Sequence, residues 1–142
     1  MSTTQITVQG WVGSDVSHDI APSGVAVASF RLGSTPSRLQ RDGSWQDGET
    51  AWYTVKAWRA VADQLRDSVR KGQPVLVTGR LVVDTWQRPD GTTAVRHVIE
   101  AVGLGHDLTK GTAQFTRSRS AAAETGEQQD GQRTAEVEHQ AA

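Results

Sequence analysis

Apolar and polar side chains alternate along most of the first 105 residues, and this pattern restricts the chain to a mainly β structure. The alternation is clear in residues 5–13, 25–34 and 51–58 and returns in residues 74–87 and 92–105. Successive side chains of a strand point to opposite faces, so each segment is predicted to be a strand with one buried side. Glycine and proline lie between the segments, as turns require. The chain is therefore expected to form five strands.

Residues 59–69 have the periodicity of a helix instead. Val61, Leu65 and Val69 recur every four residues, and a Lys-Gly pair follows, as is typical of a helix C-terminus. The order of elements is then strand, strand, strand, helix, strand, strand. Five strands with one helix between the third and fourth, and with glycines that bend the first strand, fit an all-β OB-fold barrel. We assign this domain to residues 1–112.

The composition changes near residue 113. From there on the chain is rich in Ala, Gln, Glu, Ser, Thr and Gly, and Phe115 and Val137 are its only large apolar residues. Such a segment buries too little surface to offset its conformational entropy. Residues 113–142 are therefore predicted to be a disordered polar tail.

Composition limits the possible classes further. The chain has 0 cysteines, which excludes a disulfide framework and a thiolate metal site. No apolar run approaches the roughly 18 to 20 residues that span a membrane, and no signal sequence follows Met1. We expect a soluble, cytoplasmic protein.

The charge is unusual for a nucleic-acid-binding protein. The net charge is -1, whereas a duplex-DNA binder usually has a strongly basic domain. Residues 50–90 carry seven basic and four acidic side chains, net +3, and residues 113–142 carry net -2. So small a positive charge would support binding only beside a second source of affinity. The 5 tryptophans, in a chain with 1 tyrosine and 2 phenylalanines, are the candidate.

The third predicted strand places two indoles and a cation on one face. Trp52, Lys56 and Trp58 are separated by even numbers of residues and so point to the same side. Unpaired bases stack on flat aromatic surfaces, each stack being worth about 1 to 3 kcal/mol, and phosphates require positive charge. A tryptophan in a small domain is more often part of the core. Lysine is rarely buried, however, and this favours an exposed binding face.

The fourth predicted strand adds a second stacking position. Arg80 and Trp86 share a face, and Arg88 follows in an Arg-Pro-Asp-Gly turn that could extend over a bound strand. Trp11 fits a core role and a binding role equally well. Trp45 lies in a glycine-rich loop, where it could contact a base, anchor a hairpin or contact another subunit.

Four histidines are the candidates for metal binding or acid–base catalysis: His18, His97, His106 and His139. No two of them have the spacing of ligands on a helix or hairpin, and no third ligand accompanies them. We expect no metal, no cofactor and no enzymatic activity.

Several motifs resemble those of bacterial single-stranded DNA-binding proteins over roughly residues 5–105. The most specific is a Lys-Gly pair followed by Val-x-Val-x-Gly-Arg-Leu, downstream of the tryptophan-rich strand. The matching stretches are residues 8–10, 13–15, 24–32, 52–58 and 71–81, and Trp86 ahead of the Asp-Gly pair at 90–91.

This resemblance implies a homotetramer whose OB-folds wrap single-stranded DNA during replication, recombination and repair, at the nucleoid. Trp52, Trp58 and Trp86 fall where the family has base-stacking aromatic residues, and Arg38 falls near a further aromatic position. We therefore assign DNA contacts to Arg31, Arg38, Trp52, Lys56, Trp58, Arg80, Trp86 and Arg88. Apolar side chains such as Tyr53, Val55 and Val77 are expected to compete for one small interior, which also favours assembly.

The resemblance does not extend to the C-terminal tip. The family's tail usually ends in aspartates followed by Ile-Pro-Phe, whereas this chain ends Glu-Val-Glu-His-Gln-Ala-Ala. This difference argues against recruitment of repair enzymes through the tip and indicates a short-tailed second copy with a specialised role. The alternative function is an OB-fold assembly module, of the primosome accessory type, whose tryptophans meet a protein partner. An RNA-binding OB-fold is a third possibility.

Overall fold

The structure, a computed structural model, describes residues 1–118, of which residues 1–111 form one unit. Eight strands and one helix lie within the described residues. They are β1 (Thr4–Val12), β2 (Ser17–Ile20), β3 (Ala26–Ser34), β4 (Ser37–Leu39), β5 (Trp45–Asp47), β6 (Ala51–Trp58), α1 (Ala60–Ser68), β7 (Pro74–Gln87) and β8 (Thr93–His106). The predicted disordered tail falls mostly on residues outside the described part, so it stays a prediction.

Five of the strands close into a barrel. They are hydrogen-bonded in the order β1-β7-β8-β6-β3, and β1 also pairs with β3, which completes the ring. All neighbours are antiparallel except β6 and β8. With α1 between β6 and β7, this arrangement confirms the predicted OB-fold. The helix lies between the third and fourth of the five barrel strands, as expected.

The first strand bends where it changes partner. Residues 4–11 pair with β7, and Trp11 and Val12 pair with β3. At Gly10 the backbone of Gly33 approaches so closely that a Cβ would overlap the Gly33 carbonyl oxygen. Glycine is therefore needed at this crossing, as the predicted bend in the first strand requires.

Three strands lie outside the predicted five. β2 extends the sheet at the edge of β3, and β4 and β5 form a separate two-stranded hairpin. Trp45, which was expected in a glycine-rich loop, is the first residue of β5 in this hairpin. β2 could not be recognised because Ser-His-Asp-Ile has no apolar alternation.

The core lies inside the barrel, and α1 packs against it. Leu32, Val55, Val77 and Ile99 are all fully buried, each with 0% exposure. Val55 and Val77 are thus covered within the single chain, and the expectation that they compete for space and promote assembly is wrong. The buried face of α1 also differs from prediction, because Val61 is 37% exposed.

The helix buries residues spaced by three and four positions. Ala62, Leu65 and Val69 are all buried, and this spacing follows one face of an α-helix. The sequence pattern predicted Val61 on the buried face because alanine is less apolar than valine, whereas the structure buries Ala62. Arg59 precedes the helix with a φ of 62°, and it is the one non-glycine residue with positive φ among residues 1–118.

Three aspartates close turns in the same way. Asp42, Asp90 and Asp107 each accept hydrogen bonds from the backbone N–H and the hydroxyl group of the Ser or Thr two positions later, at 2.6–3.0 Å. The hydroxyl bond is the main cause that lowers the pKa of each carboxyl group, because it stabilises the charged form. Gln9 also donates to Asp107 and lowers its pKa further.

Candidate nucleic-acid interface

All five tryptophans are exposed. The exposed fractions are 50% for Trp11, 68% for Trp45, 48% for Trp52, 38% for Trp58 and 44% for Trp86. A core indole would be almost completely covered, so the core role that remained open for Trp11 does not apply within the single chain. The indoles are therefore available to a ligand or to another protein.

Trp52 lies over a shelf made by two glycines. A Cβ on Gly13 would come within 2.6 Å of the indole, and one on Gly33 would come within 3.0 Å. Gly33 is directly opposite Trp52 in the β3–β6 ladder. Any larger residue at either position would displace the ring, so the two glycines determine where the indole lies.

A cation accompanies Trp52. The guanidinium carbon of Arg31 is 5.6 Å from the centroid of the indole, within cation–π range. Arg31 lies opposite Thr54 in the ladder, and its Nη1 donates a hydrogen bond of 3.4 Å to the Thr54 hydroxyl. Arg31 and Trp52, two predicted DNA contacts, are thus brought together.

The remainder of the β6 face is only partly exposed. Thr54 is buried with 7% exposure, and Lys56 is half-buried, opposite Ser29 on β3 and Glu100 on β8. Trp58 closes the row and lines a groove together with residues of the β2–β3 loop and with Arg59. The predicted alignment of Trp52, Lys56 and Trp58 on one strand face is present, although not all of that face is open to solvent.

Trp86 also lies beside an arginine, which the sequence analysis missed. The guanidinium carbon of Arg96 is 5.3 Å from the centroid of the Trp86 ring, and its Nη2 donates a 2.8 Å hydrogen bond to Asp84 Oδ2. The Arg96 Nε is buried and has no hydrogen-bond partner among the described residues. Arg96 lies opposite Asp84 in the β7–β8 hairpin. The hairpin is centred on Asp90 and not between Asp90 and Gly91, so the Asp-Gly pair alone did not identify Arg96 as the partner of Asp84.

Arg80, another predicted DNA contact, is engaged by a carboxylate. Its Nη2 donates a 2.7 Å hydrogen bond to Glu100 Oε2, and the two residues are opposite each other in the β7–β8 ladder. Glu100 is in turn opposite Lys56 on β6. A row of cation, carboxylate and cation therefore crosses three neighbouring strands.

Two predicted contacts lie apart from these groups. Arg88 is exposed in the turn between β7 and β8, where its N–H donates to the Thr92 carbonyl oxygen at 2.8 Å. Arg38 is exposed on β4, opposite Gln46 of the separate hairpin. The same hairpin carries Trp45, the most exposed of the indoles. The barrel thus assembles the other six predicted residues on β3, β6 and β7, and Arg38 belongs to a different sheet.

Metal chemistry has no evident site in this part of the chain. Among residues 1–118, no three His, Asp or Glu side chains are close enough to hold a metal ion. His18 instead makes a 2.8 Å contact with Asp63 of α1, and His106 makes one with Gln73. No helix in the same range is long and apolar enough to cross a membrane.

The sequence of the barrel matches a known protein family and several known proteins. The family described as "Single-strand binding protein family" matches residues 3–107. A "Single-stranded DNA-binding protein" of Corynebacterium glutamicum is 38% identical over 116 residues, which cover 81% of this chain and 52% of that protein. The chain thus spans about half the length of this relative. A "Single-stranded DNA-binding protein 2" of Tropheryma whipplei is 39% identical over 113 residues, with coverage of 79% and 74%.

Solved structures of two single-stranded DNA-binding proteins have a similar fold. The crystal structure of a small single-stranded DNA-binding protein from Streptomyces coelicolor superposes with a TM-score of 0.71 at 35% identity and covers 78% of this chain and 100% of that one. The second such protein from Mycobacterium smegmatis gives a TM-score of 0.60 at 21% identity, covers 82% of this chain and 100% of its own, and supports the fold alone.

Proposed function

Because the chain belongs to the single-strand binding protein family, we propose that it binds single-stranded DNA by stacking unpaired bases on Trp52, Trp58 and Trp86. The observation that carries this proposal is the exposure of these three indoles on barrel strands, two of them beside an arginine guanidinium. Nothing in the core requires indoles at these positions. The role is one of binding, without a catalytic step.

The arrangement supports binding that is independent of sequence. Every base has a π face, so a base of any identity can stack on an indole, whereas reading a sequence would require hydrogen bonds to base edges. Arg31, Lys56, Arg80 and Arg88 would supply charge for the phosphates, and Arg38 would extend the track from the neighbouring hairpin. A fixed Trp52, seated on Gly13 and Gly33, loses little freedom when a base stacks on it.

We also propose a homotetramer that acts at the nucleoid in replication, recombination or repair. Trp11, Leu76 and Val102 are 50%, 47% and 73% exposed on β1, β7 and β8, and large apolar side chains in such numbers are commonly covered by another subunit. The proposal of assembly therefore rests on these exposed residues and not on Val55 and Val77, which are buried within the single chain. Recruitment of repair enzymes through the C-terminal tip is not part of this proposal.

The test is a titration of the intrinsic tryptophan fluorescence with oligo-dT, and with oligo-U and duplex DNA of equal length. Stacking should quench the exposed indoles with oligo-dT, and salt should reverse the quenching with a slope of about -0.7 per phosphate contact. Duplex should have little effect. Unchanged emission at saturating oligo-dT, from a folded protein, would contradict the proposal and favour a protein-binding module; a preference for oligo-U would favour the RNA-binding alternative.

A further inference from the structure

Two carboxylates stand within the face that carries the stacking tryptophans. Asp84 lies two residues before Trp86 on β7, and Glu100 lies between Lys56 and Arg80 in the sheet. Their side chains are 47% and 32% exposed, so both remain in contact with solvent. A surface that binds a polyanion gains nothing from negative charge unless the charge has another role.

Each carboxylate holds one arginine of this face. Glu100 Oε2 is 2.7 Å from Arg80 Nη2, and Asp84 Oδ2 is 2.8 Å from Arg96 Nη2. Both are charge-assisted hydrogen bonds between directly opposite residues of one hairpin. The Nη2 donor of each guanidinium is therefore already used by a carboxylate in the free protein.

We propose that Glu100 and Asp84 occupy the phosphate-binding positions of Arg80 and Arg96 in the free protein and thereby limit its affinity for single-stranded DNA. This inference rests on the proposed function. Carboxylate and phosphate oxygens use the same kind of donor, so a phosphate that takes the Nη2 donor of Arg80 or Arg96 must displace the carboxylate.

The exchange is physically easy. Exposed ion pairs contribute little net stability, so a phosphate can replace the carboxylate at small cost. The displaced carboxylate then remains near the bound phosphate and repels it. Removing the carboxylate charge should therefore strengthen binding, whereas most changes in a binding face weaken it.

The test compares Glu100→Gln and Asp84→Asn with a matched control, Asp67→Asn. Asp67 forms a 3.1 Å ion pair with Arg66 on α1, so the control also removes one negative charge and one arginine pair, but outside the strand face. Affinity for oligo-dT is measured by fluorescence titration at several salt concentrations, and the melting temperature of each variant is recorded.

Glu100→Gln and Asp84→Asn are each expected to bind roughly three- to ten-fold more tightly than the original protein at low salt. Each freed arginine should also add about 0.7 to the magnitude of the salt slope, because its phosphate contact then counts in full. Asp67→Asn should stay within about two-fold of the original protein and keep its slope, since exposed charges away from the DNA are screened.

Equal or weaker binding by both face variants would overturn the inference, and so would equal tightening by Asp67→Asn, because net charge alone would then explain the effect. If one face variant did not fold, the other would decide the question, and unfolding of both would show that the carboxylates serve stability. Failure of the original protein to bind oligo-dT would instead refute the proposed function, so the two failures can be distinguished.

Discussion

The indoles of this protein are exposed, while its interior is built from Val, Leu, Ile, Ala and Phe30. Large aromatic rings normally contribute much of a small domain's buried area. Here the barrel is filled by smaller side chains, so the exposed tryptophans can be replaced without loss of the core. Affinity and stability should therefore be separable by mutation at this scale.

Trp52→Ala, Trp58→Ala and Trp86→Ala are each expected to weaken binding of oligo-dT by about 1 to 3 kcal/mol, the free energy of one lost base stack. The melting temperature should change by only a few degrees. Phe30→Ala is the matched control, because Phe30 is 2% exposed and its truncation should cost about 3 to 5 kcal/mol of stability. A tryptophan variant that unfolds as Phe30→Ala does would show that its indole has a structural role.

Gly33→Ala tests whether the glycine shelf positions Trp52. The new methyl group would lie 3.0 Å from the indole, closer than ordinary contact, so the ring must move. We expect Gly33→Ala to bind oligo-dT several-fold more weakly, which is a smaller loss of affinity than that caused by Trp52→Ala. Gly105→Ala is the control, because a Cβ there meets nothing within 4 Å. Equal titration curves for the two variants would show that the position of the ring is unimportant.

The face of β6 could be predicted from sequence because a strand fixes which side chains share a side. The shelf beneath Trp52 could not, because it depends on Gly13, which follows β1, and Gly33 on β3 lying side by side although they are far apart in the chain. Arg96 was overlooked for a similar reason. It becomes visible only when the register of the β7–β8 hairpin is known.

Among the elements, strands with strong alternation were located well and those without it were missed. The bounds predicted for β6 and β7 agree with the structure, those for β1 and β8 differ by one residue at each end, and β3 differs by one residue at its start. β2 has four mostly polar residues at a sheet edge, where one ladder with β3 holds it. Pairing of this kind is a tertiary property, and the local sequence carries little trace of it.

The end of β8 offers a test of pH dependence. Asp107 follows β8 and joins it to β1 through Gln9 and to β7 through a 3.0 Å hydrogen bond from its N–H to the Pro74 carbonyl oxygen. The Thr109 hydroxyl, and next the Gln9 amide, lower the pKa of Asp107. A lowered pKa in the folded state means that the charged form stabilises the fold above the unfolded-state pKa of about 3.9. That contribution is lost as the pH falls through the folded-state pKa.

Asp107→Asn is therefore expected to lower the melting temperature at pH 7 by a few degrees, because the neutral amide accepts weaker hydrogen bonds. The difference from the original protein should shrink as the pH falls below about 4, where the original carboxyl group also becomes neutral. Asp42→Asn, which alters the same kind of turn at an exposed hairpin tip, should have a smaller effect. A difference that stays constant between pH 7 and pH 3 would contradict a role for the charge.

For the whole molecule, the net charge of -1 is small, and part of the positive charge is also paired internally. Arg80 and Arg96 are paired with neighbouring carboxylates, so we expect the proposed binding to depend on stacking and a moderate field rather than on a strongly basic surface. The expected binding should therefore depend less on salt than that of a duplex-DNA binder with many phosphate contacts.

The assembly and the tail can be tested together. A tetramer should give a mass of about 61 kDa by light scattering, four times the 15.3 kDa of the chain. Deletion of residues 113–142 should leave the assembly and the DNA affinity nearly intact, because this segment has too few apolar residues to form part of a core. Affinity should rise slightly, since the deletion removes a net charge of -2 per chain, or -8 per tetramer, that repels phosphates. A truncated chain that is monomeric, or that no longer binds oligo-dT, would show that the segment is part of the binding unit and that the boundary near residue 113 is misplaced.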